Sequence, residues 1–436
     1  MIDTGSTAWV LASAALVMLM TPGLALFYGG MVRSSSVLNV MVLTFVCLGT
    51  IGLIWVLYGY SLAFGPDWFG GLLGNLRMAG LRDLTQATVG PPGQRIPVFA
   101  YAAFQLMFAI ITVALLVGAI AERTRFWPWM LFTVVWVTLV YLPVAHWVFA
   151  PDGWIATRLH ALDFAGGTVV EVNSGAAALA LAIVVGRRQG WPRQANRPHN
   201  LPFVMFGAGL LWFGWFGFNA GSALGANSVA AVSFVNTTVA GATAVLGWLL
   251  VEQIRDGKPT TLGAASGAVA GLVGITPGCA FVEPLGALLI GLVAGVVCAL
   301  AVGLKYRWGY DDSLDVVAVH GVGGLTGMLL IGLLGTTTAN SLGANGLFYG
   351  GGFGQLWRQA VATGAVLAYS LLVTLGIAWV ISKTVGLRAN REAEANGVDE
   401  AEHAESAYDL GFQPGRRLGG LAHPLGAADP SRSELN

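Results

Sequence analysis

Eleven long apolar stretches, separated by shorter polar or charged segments, dominate this chain of 436 residues. Most have the roughly 20 residues that an α-helix needs to cross the hydrocarbon core of a bilayer. In chain order the stretches are 8–31, 39–63, 98–121, 126–148, 164–186, 202–221, 228–253, 262–277, 284–304, 315–336 and 358–384. The pattern predicts an all-α integral membrane protein with eleven transmembrane helices.

The composition is that of a membrane protein. Hydrophobic residues make up 56% of the chain and charged residues 10%, whereas a soluble domain carries about 25% charged residues. Net charge is zero and the basic residues lie in short loops, so nucleic acid is not an expected partner. The three cysteines lack the spacing of a zinc site or disulfide framework, and no catalytic triad or phosphate loop appears. We therefore expect no metal, no cofactor and no enzymatic activity.

Arginine and lysine are divided unevenly between the two sets of alternate loops. Cytoplasmic loops of membrane proteins carry the excess of these residues. One set holds Arg33, Arg123, Arg125, Arg187, Arg188, Arg193, Arg197, Arg255, Lys258, Lys305 and Arg307, and the other holds Arg77, Arg82, Arg95 and Arg158. We expect the N-terminus outside and the C-terminal tail inside. No basic residue precedes the first stretch, which is therefore expected to be a retained helix and not a signal peptide.

Two ionisable side chains lie within predicted transmembrane helices: Glu171 in the fifth and His320 in the tenth. Such a side chain costs about 2.5–3.5 kcal/mol at the bilayer centre on insertion scales, so it usually marks a transport pathway or proton relay. Each follows an aspartate, Asp163 or Asp315, near the start of its helix. We interpret helices 1–5 and 6–10 as an inverted repeat, which would bring both side chains to intermediate depth. A structural acid satisfied by its neighbours is the alternative role for Glu171.

Six motifs, in this order, resemble the Amt/Mep/Rh ammonium transporter family: FYGGMVR, WVLYGYSLAFG, LDFAGGTVV, FGFNAGSALGAN, SGAVAGLVGITPGC and LDVVAVHGVGGLTG. The resemblance runs from about residue 7 to residue 408. It implies eleven helices with the N-terminus outside, a homotrimer surrounded by lipid in the plasma membrane, and one narrow hydrophobic pore per subunit. Ammonium would be the recruited species.

The resemblance also implies an outer site that recruits ammonium, formed by Phe108, Trp147, Phe149 and Ser222 and supported by Asp163. Aromatic faces attract a small cation, and a hydroxyl can accept one N–H bond. The position that is usually Trp in the family is Phe149 here. Because a Phe ring attracts cations less strongly than a Trp ring, we expect recruitment to be weaker or shared. Interfacial anchoring is the alternative role of the aromatics. For Asp163, the position at the start of the fifth helix favours capping of that helix.

Below that site the resemblance implies a stacked pair, Phe108 and Phe218, with Trp215 along the pore lining. An apolar constriction excludes hydrated ions, whereas ammonium can lose a proton and continue as ammonia. The family normally has two facing histidines next in the pore. Here the second is His320 and the first is replaced by Glu171. We predict that this pair relays the proton separated from ammonium and titrates as a coupled unit.

After the transmembrane domain, predicted as 1–386, residues 387–436 form a charged, cytoplasmic tail. The residues that resemble the family's regulatory tail are Arg388, Glu392, Gly397, Asp399, His403 and Tyr408. In bacteria and archaea such tails and the inner loops accept a PII-type signalling protein, which is a possible partner here. A solvated charged tail is the alternative. Beyond residue 411 the tail is rich in Gly, Pro and Ser, and we expect disorder.

Three functions are compatible with this sequence. An ammonium transporter is favoured by the motifs and by the pair Glu171 and His320. An ammonium sensor with little flux and a neutral gas channel resembling the Rh branch are the alternatives. Charge movement separates them, because only the first is expected to carry an ammonium-dependent current.

Overall fold

The computed structural model describes residues 1–193 and 197–408, so the disorder expected beyond residue 411 lies outside the described residues. In the described part, ten helices are long and apolar enough to cross a membrane, and Thr261–Ile275 is a shorter apolar helix. In chain order they are α1 (Thr4–Met31), α2 (Val37–Phe64), α3 (Val98–Ile120), α4 (Phe126–Phe149), α5 (Gly167–Val185), α6 (Leu201–Gly221), α7 (Ser228–Asp256), α8 (Thr261–Ile275), α9 (Pro284–Trp308), α10 (Val317–Leu334) and α11 (Gly354–Thr384).

A helix therefore occupies each of the predicted apolar stretches, but the eighth does not reach spanning length. Helix α8 has 15 residues, or about 22 Å at 1.5 Å per residue, against a hydrocarbon core of about 30 Å. The predicted all-α membrane class is confirmed. The full count of eleven spanning helices and the orientation of the chain remain predictions.

The connections contain only short elements in the described part of the chain. Strands β1 (Thr88–Val89) and β2 (Ile96–Pro97) pair antiparallel in the loop between α2 and α3. Single helical turns are Ala79–Leu81, Ile155–Leu159 and Leu347–Tyr349, and the tail forms α12 (Arg391–Asn396) and α13 (Val398–His403). The bulk of the molecule is thus the helical bundle.

Helices that hold equivalent places in the two predicted halves pack against each other. The first helices, α1 and α6, run together over much of their length, and the last helices, α5 and α10, cross near their starts. Glycine permits the first of these contacts, since a Cβ on Gly207 or Gly214 would collide with the chain of α1. Helix α11 lies across both α5 and α10. This pairwise packing is what an inverted repeat produces.

Large apolar side chains cover much of the outer surface of the helices. Among those that are exposed are Leu53, Phe206, Leu246, Leu300, Leu372 and Trp379. An apolar surface of this extent is typical of contact with lipid or with another membrane subunit. Together with the ten spanning helices, it makes the chain a multi-pass membrane protein.

Buried ion pairs fasten the loops at the end of the bundle where α1, α3, α5 and α9 finish. Arg188 lies 2.8 Å from Glu122 Oε2 and 2.9 Å from Asp311 Oδ1, and Arg33 lies 3.1 Å from Glu122 Oε1. Burial raises the pKa of Glu122, but Arg188 and Arg33 more than offset that and hold it below its ordinary value. These loops form a fixed platform, and the tail lies on it.

Candidate functional site

Glu171 and His320 each lie in a π-helical turn at the start of a helix. The turns are Gly167–Val172 in α5 and Val317–Val322 in α10. Such turns carry one extra residue and are frequent at functional sites because they redirect a side chain. The matching irregularity in the fifth and tenth helices agrees with their predicted equivalence.

Glycines let these two helices approach closely. A Cβ on Gly175 would collide with the backbone of Gly321. A Cβ on Gly324 would lie 2.7 Å from the Cβ of Glu171. The missing side chains therefore leave room for Glu171 to point towards His320.

The two ionisable side chains are in direct contact. His320 Nδ1 lies 2.6 Å from Glu171 Oε2, and the side chains are 5% and 1% exposed. A contact of this length between an imidazole nitrogen and a carboxyl oxygen is a hydrogen bond. The other oxygen, Glu171 Oε1, is buried and has no hydrogen-bond partner among the described residues. An unpaired buried oxygen is costly, so this atom is available to a polar species that enters the site.

A narrow cavity borders the pair. The space open to the centre of a water-sized sphere is about 10 Å³, which is room for about one such molecule. Its apolar lining comprises Met20, Leu24, Phe27, Ile111, Leu115, Val170, Leu211, Trp215, Phe218 and Val269. Of the described residues that line it, Glu171 and His320 are the two that have ionisable side chains. The cavity suits a single small molecule that can exchange a proton.

Phe218 lines the cavity, and its ring stacks on the ring of Phe108. Phe108 and Phe218 have ring centroids 4.2 Å apart and planes inclined by 23°, and both are buried. Trp215 lies beside Phe218 at 5.5 Å, and its Nε1–H donates to Thr276 Oγ1 at 2.8 Å. Two stacked phenyl rings are apolar and offer no polar atom to an ion that has shed its water.

The aromatic candidates for recruitment occupy different places. Phe149 lies edge-on to Phe108, with centroids 6.5 Å apart. Trp147 donates its Nε1–H to the Leu72 carbonyl at 2.8 Å, and its described ring contacts are with Trp154 and Tyr369. Phe149 is therefore the ring next to the stack, while Trp147 packs against the loop between α2 and α3 and against Tyr369 of α11.

Ser222 lies one helical turn beyond Phe218, and its hydroxyl donates to the Phe218 carbonyl at 2.8 Å. The hydroxyl oxygen keeps lone pairs that can accept an N–H bond. The side chain is partly exposed. Its position next to the stacked ring is compatible with the recruitment role that the resemblance implies.

Asp163 caps the start of α5, as its position in the sequence predicts. Oδ1 accepts from the backbone N–H groups of Gly166 and Gly167 at 2.9 and 2.6 Å, and Oδ2 accepts from Thr168 N–H at 2.7 Å. Gln359 of α11 holds the preceding residue by two hydrogen bonds of 2.7 Å to the Leu162 backbone. The carboxylate is thus committed to shaping the turn that carries Glu171.

Replacing Asp163 with alanine is expected to lower the midpoint of thermal unfolding in detergent. Loss of a helix cap costs about 0.5–2 kcal/mol, and several donors lose their acceptor here. Asp163→Asn, which keeps one acceptor oxygen, should have an unfolding midpoint between those of wild type and Asp163→Ala. Glu405→Ala, at an exposed tail position, is the control and should unfold like wild type; equal midpoints for all three variants would contradict the capping role.

The sequence did not single out several residues that hold the site together. Thr276 fixes the Trp215 ring, Gln359 fixes the segment before Asp163, and Gly175 meets Gly321. A glutamine inside the last apolar stretch was an available signal, because a polar side chain there needs partners. Within the described residues, no group of three or more His, Cys, Asp and Glu side chains is placed to hold a metal ion.

The tail returns to the platform of loops at the end of the bundle where α1, α3, α5 and α9 finish. Asp399 accepts from the backbone N–H groups of Leu38 and Asn39 at 3.0 and 2.7 Å, so a tail carboxylate caps α2. His403 Nε2 lies 3.1 Å from Asn39 Nδ2. Gly397 has φ +119°, and a Cβ there would collide with Ser35. The contacts place α13 against the start of α2.

The two ends of the described tail are fastened as well. Arg388 donates to Glu394 at 2.7 Å, and also to the carbonyls of Val185 and Arg187 at 3.1 and 2.7 Å. Tyr408 Oη lies 2.8 Å from His199 Nε2. Of the six tail residues that the resemblance implies, Glu392 differs in being exposed on α12.

Comparison with known proteins covers nearly the whole chain. The Ammonium Transporter Family matches residues 8–408. The chain is 57% identical over 442 residues to an ammonium transporter of Mycobacterium tuberculosis H37Rv, covering 95% of this chain and 92% of that protein. It is 47% identical over 405 residues to one of Bacillus subtilis 168, covering 93% and 98%.

Solved structures of other proteins also match this chain over most of its length. The crystal structure of Candida albicans Mep2 matches with a TM-score of 0.83 at 34% identity, over 90% of this chain and 87% of that one. A structure described as a Sensor Amt Protein matches with a TM-score of 0.83 at 29% identity, over 92% and 98%. The matched residues include both helices that carry Glu171 and His320. The chain belongs to the ammonium transporter family.

Proposed function

We propose that the protein recruits ammonium at the outer rings, removes its proton and conducts ammonia through the narrow cavity, with Glu171 and His320 as the proton relay. One observation carries the mechanism: the hydrogen-bonded pair borders a cavity that is otherwise apolar and admits about one small molecule. The relatives that match nearly the whole chain are named ammonium transporters. Transport of ammonium follows from the family, and the roles of the individual residues are our proposal.

Selectivity follows from the apolar barrier. Potassium and sodium would have to shed water to pass the Phe108–Phe218 stack, and the lining beyond it offers few polar atoms in return. Ammonium has another route, because it can transfer a proton to a base and continue as a neutral molecule. Phe149 and Ser222, next to the stack, would hold the cation before that transfer.

The proposed relay consists of the uptake of one proton and its release. Ammonium transfers one proton to the unpaired oxygen Oε1 of Glu171, which leaves neutral ammonia and a carboxylic acid. The hydrogen bond from Oε2 to His320 Nδ1 lets carboxyl and imidazole share the added proton, so the two groups titrate together. Release of that proton on the inner side resets the pair. One positive charge then crosses with each ammonia.

The expected result in purified proteoliposomes is an ammonium-dependent current. A pulse of ammonium on a solid-supported membrane should produce sustained charge movement, and an equal pulse of potassium should produce none. Protein-free liposomes are the control. A neutral gas channel would raise ammonia flux without sustained current, and that outcome would contradict the electrogenic relay.

An ammonium sensor is the second candidate. The match to the Sensor Amt Protein spans 92% of the chain, and the tail is docked where a change in the bundle could reach it. A sensor would bind ammonium with little flux, so it would give neither sustained current nor ammonia transport. The apolar cavity beyond the rings favours conduction.

We also propose a homotrimer in the plasma membrane, with the N-terminus outside and residues 387–436 forming a cytoplasmic regulatory tail. The exposed apolar side chains on the outer surface of the helices are suited to contacts between subunits. The uneven division of basic residues between the loops supports the orientation. The inner loops and the docked tail together would offer a surface to a PII-type signalling protein. Membership of the family supports a transport function. The absence of catalytic activity is still a prediction.

Asp399→Ala is expected to loosen the tail. The carboxylate accepts two backbone N–H bonds, and a hydrogen bond to a charged group contributes about 1.5–3 kcal/mol. Hydrogen exchange of the amides in α13 and at the start of α2 should therefore quicken by about tenfold or more. Glu405→Ala, exposed in the same tail, should leave exchange unchanged. If the two variants exchange alike, Asp399 does not hold the tail.

A further inference from the structure

A buried histidine outside the pore, His146, lies in the last turn of α4. Its side chain is fully buried, and Nδ1 lies 2.9 Å from the Ala63 carbonyl near the end of α2. Because a carbonyl oxygen can only accept a hydrogen bond, Nδ1 carries a proton and donates it. His146 does not line the cavity that borders Glu171 and His320, so the proposed relay leaves it without a role.

The second ring nitrogen of His146 faces two carboxylates. Nε2 lies 3.4 Å from Asp67 Oδ1 and 3.7 Å from Asp152 Oδ1, and it is buried without a hydrogen-bond partner among the described residues. These separations lie within ion-pair distance, so a proton on Nε2 would be attracted by both carboxylates. Burial raises the pKa of Asp67, but hydrogen bonds from Gly71 and Gly70 and the contact with His146 more than offset that and hold it below its ordinary value. Asp67 is therefore ionised at neutral pH.

The same two carboxylates tie the neighbouring loops together. Asp152 Oδ2 accepts from the Asp67 N–H at 2.8 Å, and Asp67 Oδ1 accepts from the Gly71 N–H at 2.6 Å. The turn after α4 also wraps closely over the end of that helix, since a Cβ on Gly153 would collide with the carbonyl of His146. His146 thus holds the end of α4 against α2 and against the loop between α2 and α3.

The end of α4 that His146 fixes carries the ring next to the stack. Phe149 follows His146 by three residues, which is about 4.5 Å along a helix axis. Its ring lies edge-on to Phe108, and its Cζ lies 3.6 Å from the position of a Cβ on Gly166. The ring is therefore held between α3 and the residue that precedes α5, and a shift of the end of α4 would move it relative to both.

We propose that His146 is a positioning residue for the recruitment of ammonium. Its contacts with α2 and with the two carboxylates hold Phe149 where the face of that ring can attract the cation. The inference rests on the recruitment step of the proposed function, and His146 itself contacts neither the substrate nor the relay. Loss of its contacts should therefore weaken the apparent affinity for ammonium and leave the maximum rate of conduction almost unchanged.

The test is the ammonium-dependent current of the full chain in proteoliposomes, measured on a solid-supported membrane over a range of ammonium concentrations. His146→Asn keeps an N–H near the position of Nδ1 but is too short to reach the carboxylates. We expect its half-saturating ammonium concentration to rise about fivefold, which corresponds to the loss of one cation–π contact, and its maximum current to stay close to that of wild type. Asp152→Asn removes one charge but keeps an acceptor for the Asp67 N–H, so a smaller rise is expected. A fall in maximum current at an unchanged half-saturating concentration would contradict the positioning role.

His160→Asn and Asp83→Asn are the matched controls. They make the same two substitutions at exposed positions of the adjoining loops, and both residues have a positive φ that asparagine adopts readily. Neither should change the half-saturating concentration. An equal rise in Asp83→Asn and Asp152→Asn would mean that the carboxylates act by general charge attraction, and that would contradict their contact with His146.

A double variant tests whether His146 acts through Phe149. In a Phe149→Ala background, His146→Asn should raise the half-saturating concentration no further, because residues that act through one group are not additive. A second full rise would show that His146 does not act through this ring.

Hydrogen exchange of the amides in residues 65–75 and 150–154 reports the contacts of His146 independently of transport. Exchange should quicken in His146→Asn and stay unchanged in His160→Asn. Wild-type protein that gives no current at any ammonium concentration would contradict the proposed function. A His146→Asn protein that matches a conducting wild type in both half-saturating concentration and exchange would contradict the role of His146 alone.

Discussion

Replacing Glu171 with glutamine is expected to reduce the ammonium-dependent current by about two orders of magnitude or more. The amide keeps the size of the side chain, but it cannot take up a proton near neutral pH. Positioned proton transfer contributes about 10²- to 10⁴-fold to a rate, and Glu171 holds the buried oxygen that is free to accept the proton. The current of purified variants on a solid-supported membrane measures the loss.

Glu171→His separates the relay from a merely structural acid. An imidazole can titrate near neutrality, so this variant should carry current with a pH profile that differs from wild type between about pH 5 and 8. Glu283→Gln makes the same carboxyl-to-amide change in the segment that leads into α9, away from the lining of the cavity, and should leave the current intact. If Glu171→Gln and Glu171→His both match wild type across this range, Glu171 is not part of a relay.

The importance of Glu171 and His320 was predictable from the sequence, but their direct contact was not. Their position inside apolar stretches marked both residues, since ionisable groups are rare there. The contact itself joins residues 149 positions apart, and helix spacing along the chain does not determine which helices cross. The π-helical turns at Glu171 and His320 also change the direction of each side chain in a way that regular helical periodicity misses.

For the two aromatic candidates at the end of α4, the sequence could have predicted that they do not share one face of the helix. Residues two apart on a helix point about 200° away from each other, at 100° per residue. Trp147 and Phe149 therefore could not both face Phe108, and the structure turns Phe149 towards it. Which of the two would do so depended on the docking of α4 against α2 and α11, which no local pattern encodes. The tail contacts were equally inaccessible, because Asp399 meets Leu38 across 361 positions.

Gly175→Ala is expected to impair both stability and current. The new Cβ would collide with the backbone of Gly321, and backbone cannot rotate away as a flexible side chain can. Overpacking of this kind costs about 1–3 kcal/mol. The helices α5 and α10 must separate to relieve it, which lengthens the 2.6 Å contact between Glu171 and His320. The midpoint of thermal unfolding and the ammonium-dependent current should therefore fall together.

Gly364→Ala is the matched control for Gly175→Ala. Gly364 lies within α11 with no atom near the position of a Cβ, so alanine there gains helix propensity, up to about 1 kcal/mol, without a collision. Gly175→Ala has the same intrinsic gain, and the difference between the variants isolates the crossing of α5 and α10. A Gly175→Ala protein as stable and active as Gly364→Ala would mean that the close crossing is dispensable. Loss of current at unchanged stability would instead show that the crossing serves the Glu171–His320 contact more than the fold.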